Sequence, residues 1–299
     1  MRRLITALLM AVSLPRSLSA QATTTGGKLA VPAGVQVILI TGSTDGLGRE
    51  VARRLAAAGA HVIVHGRNRE RGTALVEEIT AAGKGSAAFY AADLASLAEV
   101  RRLAETIRRD YERLDVLVNN AGIWSTSPQR ALSADGHELH FAVNYLAGYL
   151  LTRELLPLIL KSTPARIVNV ASLAQTPLDF DDIMLERGYS GSRAYGQSKL
   201  AQVLFTVDLA RELEGKGVIV TALHPATMMD THMVEAAGAR PRTTVAQGAE
   251  AVVHLVTGTD VGNGQYFNGM NAARANAQAY DEAAREKLRT LSERLTAYR

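Results

Sequence analysis

A tyrosine and a lysine four residues apart, Tyr195 and Lys199, are well suited to acid–base chemistry. On a helix this spacing puts both side chains on one face, about one turn apart. A phenol has an ordinary pKa of about 10, and a neighbouring ammonium lowers that pKa by stabilising the phenolate. The pair can exchange a proton with an alcohol or carbonyl oxygen, an effect of about 10² to 10⁴ in rate. Ser172, after a predicted strand, could hydrogen-bond the same oxygen or simply begin a loop.

A glycine-rich stretch, residues 40–49, follows an apolar run and precedes a helical pattern, an arrangement that can cradle a phosphate. Gly42 would allow a sharp turn, Gly46 the approach of a pyrophosphate, and Gly48 close packing of the helix on the strand. Alone, such a turn could equally be an ordinary strand–helix connection. The other residues of this turn that we expect to contact a cofactor are Ser43, Thr44 and Leu47.

The elements that must position these residues alternate between strand and helix. Strands are predicted at 35–40, 61–65, 86–91, 114–119, 165–171, 217–223 and 264–267. Helices are predicted at 50–58, 69–82, 96–111, 133–161 with a break at Pro157, 193–214 and 243–257. This alternation predicts an α/β fold with a doubly wound parallel sheet in a single domain. An amphipathic helix at 275–298 could pack on the core or on another subunit, and we favour the core.

Ligands of such sheets bind beyond the carboxyl ends of the strands, where this chain repeatedly places glycine and polar residues. Arg67 stands where an NAD site usually has an acidic residue, so it favours a 2′-phosphate, although a plain surface arginine is the alternative. Asp93 and Leu94 could flank an adenine, or Asp93 or Ser96 could cap the next helix. The small residues of Asn119-Asn120-Ala121-Gly122 would let the backbone lie close to a ribose.

Taken together, these motifs resemble the short-chain dehydrogenase/reductase family over roughly residues 35–267. The motifs that carry the resemblance are Thr41-Gly42-x-x-x-Gly46-x-Gly48, Asn119-Asn120-Ala121-Gly122, Ser172 and Tyr195-x-x-x-Lys199. Each is ordinary alone, but the ordered set is specific. The chain is most similar to the retinol-dehydrogenase-like and protochlorophyllide-reductase-like branch. That impression rests on Asp93-Leu94-Ala95-Ser96-Leu97, Leu114-Asp115-Val116-Leu117-Val118 and His224-Pro225.

The resemblance implies a Rossmann fold and an oxidoreductase that transfers hydride between nicotinamide and an alcohol or carbonyl. NADP is the implied cofactor, and NAD is less favoured. Tyr195 would be the acid–base group, Lys199 would lower its pKa and hold the nicotinamide ribose, and Ser172 would polarise the substrate oxygen. Asn144 would position a water in the proton relay, whereas from the residues alone it reads as a satisfied buried polar group.

The sequence departs from the family pattern beside the nicotinamide and beside the substrate. Ala226 replaces the glycine that commonly follows Pro225, and Thr227 and Thr231 are candidates for the hydroxyl contacts of that loop. The long interval between the serine and the tyrosine, 173–193, is expected to overhang the substrate, or else to be a solvated loop. Apolar residues in the predicted pocket loops hint at an apolar substrate; they are Trp124, Phe180, Met184, Met228, Met229 and Met233.

Two other functions remain open on the same scaffold: a non-catalytic NADP sensor, and an NADPH-dependent reductase of C=C bonds. A sensor has no need of all three candidate catalytic residues. No Gly-x-Ser-x-Gly elbow surrounds Ser172, which argues against a hydrolase. In His137-Glu138-Leu139-His140 the histidines are three apart rather than four, and no third ligand follows, so we predict no metal site.

Composition narrows the possible partners. The formal net charge of +4 comes from 33 basic and 29 acidic residues, and aromatic residues are only 5%, so we expect no nucleic-acid partner. The absence of cysteine excludes disulfides and thiolate chemistry. No apolar run reaches 18 residues, so no stable membrane span is expected. The partner we expect is a small-molecule alcohol or carbonyl, and a homo-oligomer is left open.

The first 26 residues stand apart from the predicted domain at 27–299. Arg2 and Arg3 precede an apolar stretch at 4–14, and Ala20-Gln21-Ala22 offers a cleavage site, so the segment resembles a secretory signal, weakly a twin-arginine one. An upstream-extended start or a disordered basic tail is the alternative. Because an exported enzyme would need its nicotinamide cofactor supplied, we favour a cytoplasmic location over export.

Overall fold

The computed structural model describes residues 24–25 and 28–298, and a mostly parallel eight-stranded sheet forms its centre. A separate antiparallel pair is formed by β1 (Thr24–Thr25) and β2 (Lys28–Leu29). The sheet contains β3 (Val37–Ile40), β4 (His61–Gly66), β5 (Ser86–Ala91), β6 (Val116–Asn119), β7 (Ala165–Val170), β8 (Val218–His224), β9 (Tyr266–Asn268) and β10 (Asn271–Ala273). The helices are α1 (Gly46–Ala57), α2 (Arg69–Ala82), α3 (Leu97–Asp110), α4 (Ala147–Leu160), α5 (Gly191–Glu212), α6 (His232–Ala236), α7 (Val245–Thr257) and α8 (Glu282–Thr296).

The strand order is β10-β9-β8-β7-β6-β3-β4-β5, which confirms the predicted doubly wound topology. The chain runs outward from β3 to β5 and then returns to the other side of β3 with β6. Strands β3 to β9 are mutually parallel, and only β10 is antiparallel. The strand order therefore reverses between β3 and β6, which is where ligands bind in open α/β sheets.

Helices cover both faces of the sheet, which explains why its central strands are apolar throughout rather than alternating. One core joins α1, α2 and α7 to the sheet, through residues such as Val51, Leu75 and Leu255. The other core joins α3, α4, α5 and α8, with Leu151 and Leu204 among its buried residues. All residues of β3 and β6 are buried.

The prediction of a helix at 133–161 that breaks at Pro157 is wrong in two respects, its start and its break. Residues 132–138 form a turn closed by a bridge between Leu132 and Glu138, and the helix begins with a π-helical turn, Phe141–Leu146. It then continues as α4 through Pro157 without a break. Proline removes the donor for the carbonyl four residues earlier. That carbonyl, on Arg153, instead accepts a hydrogen bond of 3.2 Å from the hydroxyl of Tyr298.

The C-terminal helix α8 packs on the core, the option that the sequence favoured, and it lies against α5. The hydroxyls of Tyr145 and Ser292 are 2.7 Å apart, and Arg289 makes two hydrogen bonds of 2.8 Å to Asp208 of α5. The predicted helix at 275–298 is shorter in the structure, because a 3₁₀ turn at Ala277–Tyr280 precedes it.

The N-terminal signal-like pattern lies almost wholly outside the described residues, and the boundary at residue 27 stays a prediction. Leu29 and Val31 pack against the core, close to the predicted start of the fold. None of the helices in residues 28–298 has both the length and the apolar character that crossing a bilayer requires.

Candidate active site

The glycine-rich turn between β3 and α1 has room for glycine alone at its key positions. Gly42 and Gly46 have φ angles of 63° and 51°, in the left-handed region that side chains disfavour. A Cβ on Gly42 would lie 2.9 Å from Cα of Ala121, and one on Gly48 would collide with the Gly42 carbonyl and the Asn120 side chain. The turn is therefore close-packed against the loop that follows β6.

The first turn of α1 presents backbone donors at the open side of this glycine turn. Asp45 caps the helix, and its carboxylate accepts a 2.8 Å hydrogen bond from the amide of Gly46. The amides of Leu47 and Gly48 lie too early in the helix to have an intrahelical acceptor, and no other described residue accepts from them. Free amides at the positive end of a helix dipole fit a phosphate group.

His65, at the end of β4, contacts the glycine-rich turn, and the sequence did not predict that it belongs to the site. Its Nδ1 accepts a 3.1 Å hydrogen bond from the amide of Gly42, and its backbone exchanges hydrogen bonds of 2.9 and 3.0 Å with Ser43. Burial lowers the pKa of His65 to about 4, so the ring is neutral and Nδ1 can accept. The one sequence feature that could have indicated this role is a histidine at the carboxyl end of the predicted strand at 61–65.

The expected 2′-phosphate end of the site carries an exposed arginine. The Arg67 side chain is 71% exposed, and its Nη1 lies 3.8 Å from the Asp93 carboxylate. Ser96, not Asp93, caps α3, because its hydroxyl accepts from the amide of Glu99. Leu94 is only 6% exposed and belongs to the core, which leaves Asp93 as the more accessible of the two residues expected near an adenine.

The loop after β6 is tied to the glycine turn. The Asn120 side chain donates to the carbonyls of Thr41 and Gly42 at 2.8 and 3.1 Å. In return, the Thr41 hydroxyl accepts from the amides of Asn120 and Ala121, both at 3.0 Å. The Asn119 side chain instead lies in the core and donates to Asn169 at 2.9 Å, so a contact between Asn119 and a cofactor would have to use its backbone.

Helix α5 and the end of β7 bring the three candidate catalytic residues together. Tyr195 and Lys199 share one face of α5, with the Lys199 ammonium 5.7 Å from the centre of the Tyr195 ring. Burial raises the pKa of Tyr195, and the neighbouring Ser172 hydroxyl acts in the opposite direction. The Trp124 ring lies 5.9 Å from the Tyr195 ring and forms a wall beside the phenol. The structure thus brings the three residues together, and their proton chemistry stays a prediction.

The Lys199 ammonium is buried among neutral groups. It donates to the carbonyl of Val170 at 2.8 Å and to the side-chain oxygen of Gln202 at 3.0 Å. Burial lowers the pKa of Lys199 to about 7. A Cβ on Gly122 would be 3.4 Å from its nitrogen, so the loop that is tied to the glycine turn also touches this lysine.

Asn144 lies in the π-helical turn, and its polar atoms have protein partners. Its oxygen accepts from the amide of Ile123 at 2.7 Å, while its nitrogen donates to the Ile123 carbonyl at 3.1 Å and to the Ser198 hydroxyl at 2.9 Å. These contacts match the reading of a satisfied polar group. A role in a water relay stays a prediction.

The loop after β8, with Pro225 at its start, approaches the glycine turn through Thr231. A Cβ on Gly46 would be 3.2 Å from the methyl carbon of Thr231. The Thr227 hydroxyl lies 2.9 Å from Nε2 of His224, at the end of the strand. Of the two threonines proposed for this loop, Thr231 is thus the one in contact with the turn.

The segment between Ser172 and Tyr195 is anchored to the core in its middle, while its ends at 173–174 and 186–188 are exposed. Leu178 and Ile183 are buried, and Gln197 of α5 bonds both the amide of Asp179 at 3.0 Å and the carbonyl of Ile183 at 2.8 Å. Phe180 and Met184 pack against the core. These two are therefore weaker candidates for substrate contacts than Trp124.

Within the histidine pattern at 137–140, Glu138 and His140 form a buried pair with a structural role. Nδ1 of His140 is 2.9 Å from the Glu138 carboxylate, and its Nε2 accepts a 3.1 Å hydrogen bond from the amide of Ser125. Both side chains are fully engaged, and they fix the loop that carries Trp124. The described residues contain no cluster of three or more potential metal ligands.

This fold and arrangement of residues define a nicotinamide-dependent oxidoreductase, and comparison with known proteins supplies the family. A family model described as short chain dehydrogenase matches residues 36–242. The chain belongs to the short-chain dehydrogenase family. It is therefore an NAD(P)-dependent oxidoreductase that acts on a small molecule.

Several relatives match over most of the chain. Retinol dehydrogenase 11 of Homo sapiens is 34% identical over 85% of this chain and 83% of its own length. Retinol dehydrogenase 14 of Mus musculus is 36% identical, over 86% of this chain and 85% of its own. These matches confirm that the chain is retinol-dehydrogenase-like.

Solved structures agree on the Rossmann fold. A short chain dehydrogenase from Pseudomonas syringae has a TM-score of 0.66 and 30% identity, and the match covers 78% of this chain and 94% of that one. A short chain dehydrogenase from Escherichia coli CFT073, complexed with NADPH, has a TM-score of 0.65 and 28% identity. That match covers 79% of this chain and 97% of the other.

Proposed function

We propose that this protein is an NADP-dependent oxidoreductase that transfers hydride between nicotinamide and an apolar alcohol or its carbonyl product, with Tyr195 as the acid–base group. The observation that carries the proposal is that the loop of Gly122 contacts both the glycine-rich turn and the candidate catalytic residues of α5. The loop of Gly122 is bonded to the phosphate-cradling turn, and Gly122 itself borders the Lys199 ammonium. A cofactor held by the turn would thus lead to the catalytic face of α5.

Side chains of the protein transfer the proton to and from the substrate oxygen. In the direction of reduction, the Tyr195 hydroxyl donates its proton to the substrate oxygen, and Ser172 donates a hydrogen bond to the same atom. In the direction of oxidation, the Tyr195 phenolate accepts the proton of the alcohol. The Lys199 ammonium stabilises that phenolate and holds the nicotinamide ribose. Bound nicotinamide supplies or takes up the hydride.

The preference for NADP rests on Arg67. An arginine at this position offers a planar, charged fork to a 2′-phosphate, whereas NAD sites usually carry an acidic residue there. Asp93 is the nearest acidic partner of Arg67, and at 3.8 Å and in exposed surroundings that ion pair is weak enough to yield to a phosphate. The NADPH complex of the Escherichia coli neighbour supports this preference.

The apolar character of the substrate rests on side chains around the phenol. Trp124 lies beside Tyr195, and Leu173, directly after Ser172, is 51% exposed. Both are apolar surfaces next to the reacting hydroxyls. Retinol, for which the matched relatives are named, is an apolar alcohol, and this supports the same class of substrate for this chain.

The test is a titration of the purified protein with NADPH and, separately, NADH, followed by nicotinamide fluorescence. A panel of apolar aldehydes and ketones is then added, with short polar carbonyls as a control. We expect tighter binding of NADPH and its consumption by apolar members of the panel. Binding without consumption would favour a sensor or a C=C reductase, and no binding of either nucleotide would overturn the proposal.

A further inference from the structure

Gln202 lies one turn after Lys199 on α5, on the same stripe of the helix as Tyr195. Its side-chain oxygen accepts a 3.0 Å hydrogen bond from the Lys199 ammonium, and the residue is only 4% exposed. Residues three and four apart on a helix are neighbours. Lys199 therefore has the phenol on one side and a buried amide on the other.

The hydrogen bonds of the ammonium leave one direction free. A lysine ammonium has three N–H donors and no acceptor, so the amide of Gln202 must present its oxygen to it. The carbonyl of Val170 takes a second donor at 2.8 Å. No third acceptor among the described residues takes the remaining donor, and Gly122, in the loop tied to the glycine turn, lies close to the nitrogen, since a Cβ on it would be 3.4 Å away. The two acceptors thus aim the ammonium at the site.

Within the part of the chain that the structure describes, no carboxylate forms an ion pair with the buried charge. Among the described groups that lie against the ammonium, the Tyr195 phenol is the only titratable one, since Val170, Gln202 and Gly122 contribute neutral atoms. Burial is the cause that lowers the pKa of Lys199. Hydrogen bonds from the charged form to neutral oxygens act in the opposite direction.

We infer that Gln202 is a positioning residue that keeps Lys199 charged and aimed at the cofactor, and thereby sets the pH range in which Tyr195 works. The part of this inference that concerns Tyr195 rests on the proposed function. The part that concerns the charge of Lys199 does not, because it depends only on the contacts within α5 and β7.

Gln202 is itself fixed to the strand that supplies the second acceptor. The hydroxyl of Thr206 donates to the backbone carbonyl of Gln202 at 2.8 Å and accepts a 2.8 Å hydrogen bond from the Asn169 side chain. Asn169 directly precedes Val170 in β7. These bonds hold the backbone of α5 at Gln202 against the strand that carries Val170, from which the side chain of Gln202 reaches the ammonium.

The first test measures the charge of Lys199 directly. Lysine labelled with ¹³C at Cε is incorporated into the cofactor-free protein, the Lys199 signal is assigned with Lys199→Met, and its pH titration is followed by NMR. We expect Gln202→Met, which keeps the size but removes the acceptor, to lower the midpoint by about one pH unit. Gln202→Glu, which adds a negative charge at the same place, is expected to raise it.

The matched control is Gln197→Met. Gln197 is on the same helix and is also buried, but its side chain bonds the backbone of Asp179 and Ile183 rather than Lys199. It should leave the Lys199 midpoint unchanged. If Gln202→Met fails to fold, Gln202→Glu still decides, since an unchanged midpoint in either folded Gln202 variant would overturn the inference.

The second test is the pH profile of alcohol oxidation. Loss of charge on Lys199 raises the pKa of Tyr195, so Gln202→Met is expected to move the rising limb of the profile to higher pH, while Gln202→Glu and wild type retain activity at neutral pH. If the Gln202 variants shift the NMR titration midpoint of Lys199 but not the rising limb of the pH profile, the charge of Lys199 does not control the pKa of Tyr195. If the wild type oxidises no alcohol, the proposed function fails and the NMR result still stands.

Discussion

Lys199 meets two demands that oppose one another. In the proposed function Lys199 reaches both the phenol and the cofactor and is therefore buried, yet burial lowers its pKa to about 7 and so disfavours the charge that this proposed role requires. The neutral oxygens of Val170 and Gln202 reduce that conflict without cancelling the charge, as a carboxylate would. In the proposed function the positive charge of Lys199 opposes the rise in the pKa of Tyr195 that burial causes.

Arg67 provides a prediction for a single residue. Replacing it with glutamate removes the partner of a 2′-phosphate and adds repulsion, so Arg67→Glu should weaken NADPH binding by at least about tenfold, or about 1.4 kcal/mol, and NADH binding much less. Dissociation constants from nicotinamide fluorescence measure both effects. Arg69→Glu, in the first turn of α2, is the control and should change both affinities little. Equal losses for the two nucleotides would show that Arg67 does not contact the 2′-phosphate.

Among the elements, α4 shows how a helix can pass through proline. Pro157 has no N–H, and the carbonyl of Arg153 that it leaves free takes the hydroxyl of Tyr298 as donor. Tyr298 follows α8, which packs on α5. The C-terminal segment therefore completes the hydrogen bonding of a helix that is distant in sequence.

A double-mutant cycle tests this compensation. Tyr298→Phe should lower the free energy of unfolding by about 1 kcal/mol, because the Arg153 carbonyl loses its donor. In a Pro157→Ala background the restored backbone N–H supplies that donor, so the same change should cost clearly less. Denaturant unfolding of the four proteins measures the difference. Equal costs in both backgrounds would mean that the hydroxyl does not replace the missing amide.

The sequence predicted the parallel strands and the main helices because each is an apolar run or a helical period long enough to recognise. It did not predict α6 or the antiparallel strand β10, which have only five and three residues and carry too little periodicity. Pro157 misled the prediction because its compensation comes from Tyr298, a tertiary contact. In the site, motif residues such as Tyr195 could be anticipated, whereas His65 and Gln202 acquire their roles only through packing.

Across the whole molecule, three buried histidines predict loss of stability in acid. Burial lowers the pKa values of His61, His65 and His224 to about 4 from the usual 6.5. Between these values the unfolded chain binds more protons than the folded one, so the free energy of unfolding falls as the pH drops from 6.5 to 4. Each histidine contributes up to about 3 kcal/mol to this fall.

Denaturant unfolding at pH 7 and at pH 4.5 measures this dependence. His61→Gln, at the end of β4 away from the glycine turn, should reduce the difference in free energy between the two pH values. His232→Gln, at an exposed position, should not. If His61→Gln leaves the difference intact, the histidine does not resist protonation in the folded protein.

The proposed proton exchange between Tyr195 and the substrate is tested with Tyr195→Phe. The assay uses conditions where the wild type consumes NADPH with an apolar aldehyde. The phenyl ring keeps the packing against Trp124 but has no proton to give. We expect turnover to fall by a factor of about 10² to 10⁴ while NADPH still binds with nearly the same affinity, and Tyr189→Phe to serve as the active control. Turnover near the wild-type rate in Tyr195→Phe would show that a group other than the Tyr195 hydroxyl exchanges the proton.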